Sequence, residues 1–349
     1  MNLLLIKFGK AISTLKREGV VCGGRRVAKS FLAMFGRVRQ GDILFITGGV
    51  GDSARYRTAH VAEELTIHGF KCSVTIQDNP LLSTYADKFS VFVFHRVIFT
   101  SSVAKLIERI KKQNKEIIFE TDDLVFDAKY LSHMDYFKQM NNLERKLYEN
   151  GVGGEILKDL YVKVCTTTTS FLADKLREYG KKVFIIPNKL SQKDVKNADR
   201  ILAEIKSRND GKILVGYFSG TISHNKDFAA ITPALLGIME KYANVELFLV
   251  GPLDVANSLN KYKTRVKQLP YVPREKHFEN VASVDINIVP LEMGNPFCES
   301  KSELKFFEAG IVKVPTVASA MRTFCEAIVD GVDGFVARDT QEWIEKLSQ

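Results

Sequence analysis

From Asp42 to the C-terminus, short runs rich in Val, Ile and Phe alternate with longer stretches of helical periodicity. That alternation constrains the fold more than any other feature of the chain. Parallel strands cannot be joined by a tight turn and need a crossover, usually a helix, so a strand-helix rhythm specifies parallel sheets covered on both faces. The first series of predicted strands is Asp42–Thr47, Lys71–Ile76, Ser90–Val97, Glu116–Glu120, Tyr161–Cys165 and Val183–Pro187. The second is Ile213–Phe218, Val245–Val250, Val266–Pro270, Asp285–Pro290 and Pro315–Ser319. Two doubly wound units follow, divided after Ile186-Pro187-Asn188, where the strongly charged segment Ser191–Asp210 begins. A chain of 349 residues has the length for two such cores. Open parallel sheets take ligands at the carboxyl ends of their strands, so the loops there are where chemistry is expected, with the ligand between the two sheets.

Charge is unevenly placed. Residues 1–40 hold nine Lys or Arg against the single acid Glu18, whereas the rest of the chain has 41 bases and 40 acids. The body is therefore neutral, without the basic stripe that nucleic acid requires, and no nucleic-acid partner is expected. On a helical wheel Val27, Phe31, Met34, Phe35 and Val38 gather on one side and Arg25, Arg26, Lys29, Arg37 and Arg39 occupy the rest. This is the pattern of a helix lying on an anionic membrane surface; packing against its own protein and a plain linker are the alternatives. The apolar run Leu3–Ile6 is far short of the roughly 18 residues of a membrane span, and it lacks a signal-peptide pattern. Five cysteines, Cys22, Cys72, Cys165, Cys298 and Cys325, lie far apart, which argues against a disulfide framework and a zinc site and fits a reducing cytosol.

Four groups of residues could carry chemistry. Thr47-Gly48-Gly49-Val50-Gly51-Asp52-Ser53-Ala54 joins the first strand to a helix, where glycines let backbone approach a ligand and helix-terminal amides meet phosphate. Gly49, Gly51 and Ala54, with Asp78 after the next strand, also satisfy a relaxed dinucleotide pattern, so an NAD(P)-dependent oxidoreductase stays open; a tight turn is the plain alternative. In the second unit Gly216-Tyr217-Phe218-Ser219-Gly220-Thr221 leads to His224-Asn225-Lys226, with Lys226 opposing the dipole of the helix it opens. A phosphate clamp explains that lysine; an exposed loop lysine is the alternative. A Gly/Pro loop from Pro290 leads to a helix predicted from Ser300, along which Ser302, Lys305 and Glu308 recur every three residues, suiting a base for a diphosphate and an acid for ribose hydroxyls, or simple surface pairing. Lastly, His95-Arg96 and Thr121-Asp122-Asp123 close the third and fourth strands, offering sugar-hydroxyl or general-base contacts, or a helix cap.

Taken together, the glycine loop with Tyr56-Arg57, the Ile186-Pro187-Asn188 exit, the Lys226 loop, Gly251-Pro252, Lys305-x-x-Glu308-Ala309, and Pro315-Thr316-Val317-Ala318-Ser319 with Asp330-Gly331-Val332-Asp333-Gly334-Phe335-Val336 resemble the GT-B glycosyltransferases of the large retaining family four, the group 1 glycosyl transferases. The resemblance covers about residues 42–349. It implies two Rossmann-like doubly wound domains facing across a cleft: an acceptor-side domain over residues 41–189 and a nucleotide-sugar domain over 190–349, behind the basic amphipathic segment 1–40. It implies a hexosyltransferase that moves a sugar from a nucleotide-sugar donor to a glycan or lipid-linked acceptor, with anomeric retention and with neither metal nor cofactor.

On that pattern Lys226 neutralises the donor diphosphate with help from Lys305, Ser300 and Ser302; Glu308 binds the ribose; Gly49, Gly51, Arg57 and Gly220 line the donor phosphates; and Asp122 and His95 stand near the reacting sugar. Many such enzymes build bacterial surface polysaccharides or glycolipids, which would give the basic segment its use and place the protein in the cytoplasm, peripheral on the inner face of the plasma membrane. The sequence departs from the pattern at Ser300, which replaces the first glutamate of E-x7-E, at Thr221, where an arginine is common, and in ending soon after Trp343, as a shortened member or a piece of a longer chain. The first two departures motivate the alternative of a degenerate, non-catalytic scaffold.

Overall fold

The structure, a computed structural model, describes residues 23, 24, 27, 28, 30–134, 137, 140, 142–146, 148–205, 208, 210–220, 225–255 and 257–349. It divides into two units: one runs to Ser132 and resumes over 139–187, the other comprises 133–138 and 188–349. In the first unit β1 (Ile43–Thr47), β2 (Cys72–Ile76), β3 (Val91–His95), β4 (Glu116–Thr121), β5 (Val164–Thr167) and β6 (Lys182–Ile185) stand in the order β2-β1-β3-β4-β5-β6. Every neighbouring pair is parallel. Leu44, Ile46, Phe92 and Phe94 are fully buried on one side of the sheet, while Phe45 and Val93 pack with Ala62 on the other. Burial on both sides is why these strands read as continuous apolar runs instead of alternating ones.

The second unit contains β7 (Ile213–Phe218), β8 (Val245–Val250), β9 (Val266–Leu269), β10 (Ile286–Val289), β11 (Thr316–Ser319) and β12 (Phe335–Ala337), in the order β12-β11-β10-β7-β8-β9 and again parallel. Successive residues of β7 and β8 point to opposite faces. Val215, Tyr217, Leu247 and Leu249 enter a core closed by Trp343 and Leu347, and Phe218, Phe248 and Val250 enter another with Phe278 and Val281. The edge strand β12 was not among the expected strands. It is three residues long and pairs only with β11, too short to give a periodic signal.

Of the basic N-terminal segment, residues 1–22, 25, 26 and 29 lie outside the described residues. Residues 30–34 are helical, and Phe31, Leu32 and Phe35 are 59%, 70% and 61% exposed. Among the described residues no helix is long and apolar enough to cross a membrane.

A buried polar cluster centred on Arg57 lies inside the first unit. Helix α1 (Asp52–Ala54) continues through a π-helical turn (Arg55–Ala59) into α2 (His60–Ile67), and the turn buries Tyr56, Arg57 and Thr58. Arg57 makes a two-pronged pair with Glu120, Nε to Oε1 at 2.8 Å and Nη2 to Oε2 at 3.1 Å, and donates from Nη1 to the Ile186 carbonyl at 2.7 Å. Thr166 donates its hydroxyl to the same carboxylate. The group borders a cavity of about 120 Å³ walled by Phe45, Val61, Val93 and Ile118. A carboxylate buried there is tolerable only while the guanidinium answers it. Arg57→Met is expected to lower the unfolding free energy by about 3–5 kcal/mol in urea titrations, and adding Glu120→Leu to recover part of that loss; equal losses in the single and double variants would contradict this account.

Candidate active site

In each sheet one pair of neighbouring strands has crossovers that leave in opposite directions, and a crevice opens at their carboxyl ends. In the first unit that pair is β1 and β3, with Thr47 level with His95. The Gly48 amide donates to the His95 carbonyl at 3.0 Å. A Cβ on Gly48 would stand 2.0 Å from the Arg96 carbonyl oxygen, so the close approach of the two exit loops requires glycine. Arg96 itself has φ 49°, an uncommon backbone for a side chain of this size, of the kind that clusters at functional sites. Gly49 and Gly51 face open space.

Around this crevice His95 is buried and held at both ring nitrogens: Nδ1 lies 3.1 Å from the Thr47 hydroxyl, and Nε2 lies 3.1 Å from Ser53 Oγ and 3.3 Å from Asp122 Oδ1. Arg96 donates to Ser53 Oγ at 3.2 Å and to Asp123 at 2.9 Å, and its Nε is 3.4 Å from Asp122. The two aspartates divide their roles. Asp123 caps the short 3-10 turn Leu124–Phe126 through the Leu124 amide, whereas Asp122 faces Arg96 and His95. Burial pushes the Asp122 carboxyl up, but the charge of Arg96 and the hydrogen bond from His95 outweigh it and hold the group well below the ordinary carboxylate range. Asp122 is thus an anion and hydrogen-bond acceptor at neutral pH, positioned by His95. Arg57 lies apart, in the buried pair with Glu120.

In the second unit the crevice lies between β7 and β10, where Val215 is level with Ile286. After β7 come Ser219 and the exposed, open Gly220; residues 221–224, including Thr221, lie outside the described residues. Gly251, after β8, has φ 107° and comes so close that a Cβ would be 1.9 Å from the Ser219 carbonyl, the counterpart of the contact at Gly48. Lys226 is exposed as the second residue of helix α3 (Asn225–Lys241). Its neighbour Asp227 is buried, accepts from the Glu292 amide at 3.0 Å and from the Cys298 thiol at 3.4 Å, and so ties the start of that helix to the loop after β10.

The helix expected from Ser300 is broken into two. Helix α4 (Pro296–Glu299) starts early because Asn295 caps it and Pro296 occupies its first turn, and the Ser300 hydroxyl bonds back to the Phe297 carbonyl at 2.7 Å. Helix α5 (Leu304–Gly310) then presents Lys305 and Glu308, and Ser302, just before it, accepts from Asn188 at 2.9 Å. The Lys305 ammonium sits 4.7 Å from the centre of the Tyr217 ring. Burial lowers its pKa to about 8 against the opposing pull of Asp227 and Glu308. Among the described residues the buried Tyr217 hydroxyl has no hydrogen-bond partner.

Glu308 is met by two side chains that sequence reasoning missed, Arg274 at 2.8 Å and His277 at 3.3 Å. Arg274 also forks onto Asp194. Their one sequence signal is position, since Arg274 directly follows Pro273 at the head of a helix beyond a strand end. Among the described residues no cluster of three or more His, Cys, Asp or Glu is placed to hold a metal ion.

Comparison with known proteins bears on this arrangement. Residues 213–349 match the family model of Glycosyl transferases group 1, which spans the strands and helices carrying Lys226, Lys305 and Glu308. Among solved structures the chain is similar to Anabaena HepE in complex with UDP (TM-score 0.53, 14% identity, 88% of this chain and 89% of that one). It is also similar to an alpha,alpha-trehalose-phosphate synthase (UDP-forming) from Burkholderia xenovorans (0.52, 10%, 88% and 92%) and to the N-terminal domain of Candida albicans trehalose-6-phosphate phosphatase (0.54, 11%, 90% and 90%). No individual curated protein matches the sequence. The fold is the two-domain α/β GT-B fold, and its second unit is a glycosyltransferase domain.

The Asp122 charge generates a linkage test. A carboxyl whose folded pKa is depressed stabilises above its ordinary value of 3.8 and loses that contribution as pH falls toward the folded value. Asp122→Asn is expected to be less stable than wild type by about 1–3 kcal/mol at pH 7, with the gap in urea midpoint closing only below pH 4. A gap that stays constant down to pH 2 would rule this out.

Proposed function

We propose that the protein is a nucleotide-sugar-dependent glycosyltransferase that transfers a hexosyl group, with retention at the anomeric carbon, to a glycan or lipid-linked acceptor. The observation that carries the reading is the placement of Lys226 at the head of the helix after β7 and of Lys305 and Glu308 on the helix after β10, the two strands of the second crevice, within the residues matched as Glycosyl transferases group 1. Two ammonium groups beside an open glycine loop suit the diphosphate. They stabilise negative charge that grows on the leaving phosphate as the glycosidic bond breaks, which is where electrostatic catalysis is worth most. Glu308 serves as acceptor for ribose hydroxyls. Gly49 and Gly51 leave room for phosphate at the first crevice, and Asp122, kept ionised, receives a sugar hydroxyl or offsets positive charge developing on the sugar ring.

HepE was solved with UDP, and the trehalose-phosphate synthase is UDP-forming; on that ground uridine diphosphate sugars are the first donors to try. For the basic segment we propose attachment to the anionic inner face of the plasma membrane, supported by the exposed Phe31, Leu32 and Phe35 among its arginines, and a role in bacterial surface polysaccharide or glycolipid synthesis.

A thermal-shift series with UDP, GDP, dTDP, CMP and NAD(P) tests the donor class, because a ligand that binds only the folded state raises the midpoint by mass action. A nucleoside diphosphate is expected to raise it and Lys226→Ala to abolish the rise; a shift by NAD(P) alone would overturn the reading. Affinity should also depend on pH. The bound diphosphate favours protonated Lys305, so binding takes up a proton as pH rises past about 8, and the dissociation constant should climb above that pH and stay flatter in Lys305→Ala. For the membrane proposal, deleting residues 1–40 should abolish co-sedimentation with phosphatidylglycerol vesicles, and unchanged sedimentation would refute it.

A further inference from the structure

Glu308, read above as the acceptor for ribose hydroxyls, does not stand alone, and the side chains that hold it suggest what it can discriminate. Its side chain is 8% exposed, and its two oxygens are gripped by different partners: Oε1 by Arg274 Nη1 at 2.8 Å, Oε2 by His277 Nε2 at 3.3 Å. Both partners come from the helix Arg274–Ala282, one turn apart. A carboxylate held at both oxygens keeps the plane of its lone pairs fixed, which one contact does not achieve.

Arg274 is fixed in turn. It forks onto Asp194, Nε to Oδ1 at 2.8 Å and Nη2 to Oδ2 at 3.1 Å, and its guanidinium lies 4.9 Å from the centre of the Phe278 ring. Asp194 belongs to a capping box at the head of the helix Gln192–Glu204, exchanging hydrogen bonds with Ser191. Burial alone would raise the Asp194 carboxyl, yet Arg274 and Ser191 bring it below its ordinary value, so it stays an anionic anchor. Three helices thus converge on one guanidinium, whose planar fork two carboxylates share.

We propose that Arg274 is the positioning residue that makes Glu308 selective for ribonucleotides over 2′-deoxyribonucleotides. The inference rests on the donor reading above and extends it. A rigid buried acceptor strongly disfavours a ligand lacking the hydroxyl it was built to bind, because its remaining lone pairs cannot turn to another donor; a carboxylate free to rotate toward water tolerates the loss. Arg274 supplies the rigidity. Lysine in its place keeps the charge between Asp194 and Glu308 but, as a point charge on a flexible stem, cannot fix both carboxylate planes.

The test is calorimetric binding of UDP against 2′-deoxy-UDP, and of GDP against 2′-deoxy-GDP, to wild type, Arg274→Lys, Asp194→Asn and Glu308→Gln. Wild type is expected to prefer the ribonucleotide of the pair it binds by about 10-fold or more. Glu308→Gln should abolish most of that preference. Arg274→Lys should bring the ratio to within about 3-fold by weakening the ribonucleotide while leaving the deoxynucleotide unchanged. Asp194→Asn, which leaves the arginine in place without its anchor, should give an intermediate ratio and decides the matter should Arg274→Lys fail to fold.

Full ribose preference in the folded Arg274 and Asp194 variants, or equal weakening of both nucleotides, would overturn the inference and leave the donor reading standing. Wild type that binds dTDP but none of these four would overturn the inference and leave the donor reading standing, whereas wild type that binds no nucleotide of the wider series would overturn both. Wild type that binds UDP or GDP with no ribose preference would overturn the inference alone.

Discussion

The arrangement of this protein depends on a topological constraint: in a parallel sheet, two adjacent strands whose crossovers depart in opposite directions leave their carboxyl ends uncovered. Each unit has one such place, at β1 and β3 in the first and at β7 and β10 in the second. The glycine loop with His95 and Arg96 hangs on one; Lys226 and the segment from Glu292 to Glu308 hang on the other. Helices pack on the sheet faces elsewhere, so these crevices are where backbone amides, cations and carboxylates can reach a ligand without disturbing a core.

A second regularity is electrostatic. Asp122 and Asp123 face Arg96, Glu120 faces Arg57, and Asp194 and Glu308 face Arg274. In each group an arginine and not a lysine answers the acid, and the pairs at Glu120 and Asp194 are two-pronged. Buried pairs of this kind add little net stability, because desolvation offsets much of the attraction, but their geometry is narrow. They act here as fixtures that set where a carboxylate points. Lys226 and Lys305, each the second residue of its helix, carry compact ammonium groups instead.

Much of this was legible in the sequence, for physical reasons that differ by element. The strands announced themselves because sheets buried on both faces demand unbroken apolar runs, and β7 and β8 begin and end where composition placed them. The placement of Gly49 at a strand exit and of Lys226, Lys305 and Glu308 on short-range helix patterns was legible because local chemistry decides it. Arg57 was not, because its direction is decided by a partner 63 residues away, and the π-helical turn that carries it turns three consecutive side chains inward. The Arg274 fork joins positions 80 and 34 residues apart, a relation no spacing rule encodes. The break after Glu299 was hidden because Asn295 and Pro296 start a helix early, and a capped start outweighs the periodicity that follows.

The two glycines that stitch neighbouring exit loops together have a consequence for how such a site can diversify. Gly48 lies against the Arg96 carbonyl and Gly251 against that of Ser219, whereas Gly49, Gly51 and Gly220, one to three residues from these contacts, meet nothing within 4 Å among the described residues. Sterically constrained and open positions are therefore interleaved along the same few residues. A library that randomises these loops as blocks would chiefly sample collapsed sheets, while one that skips positions 48 and 251 has room to explore new ligand shapes on an unchanged scaffold.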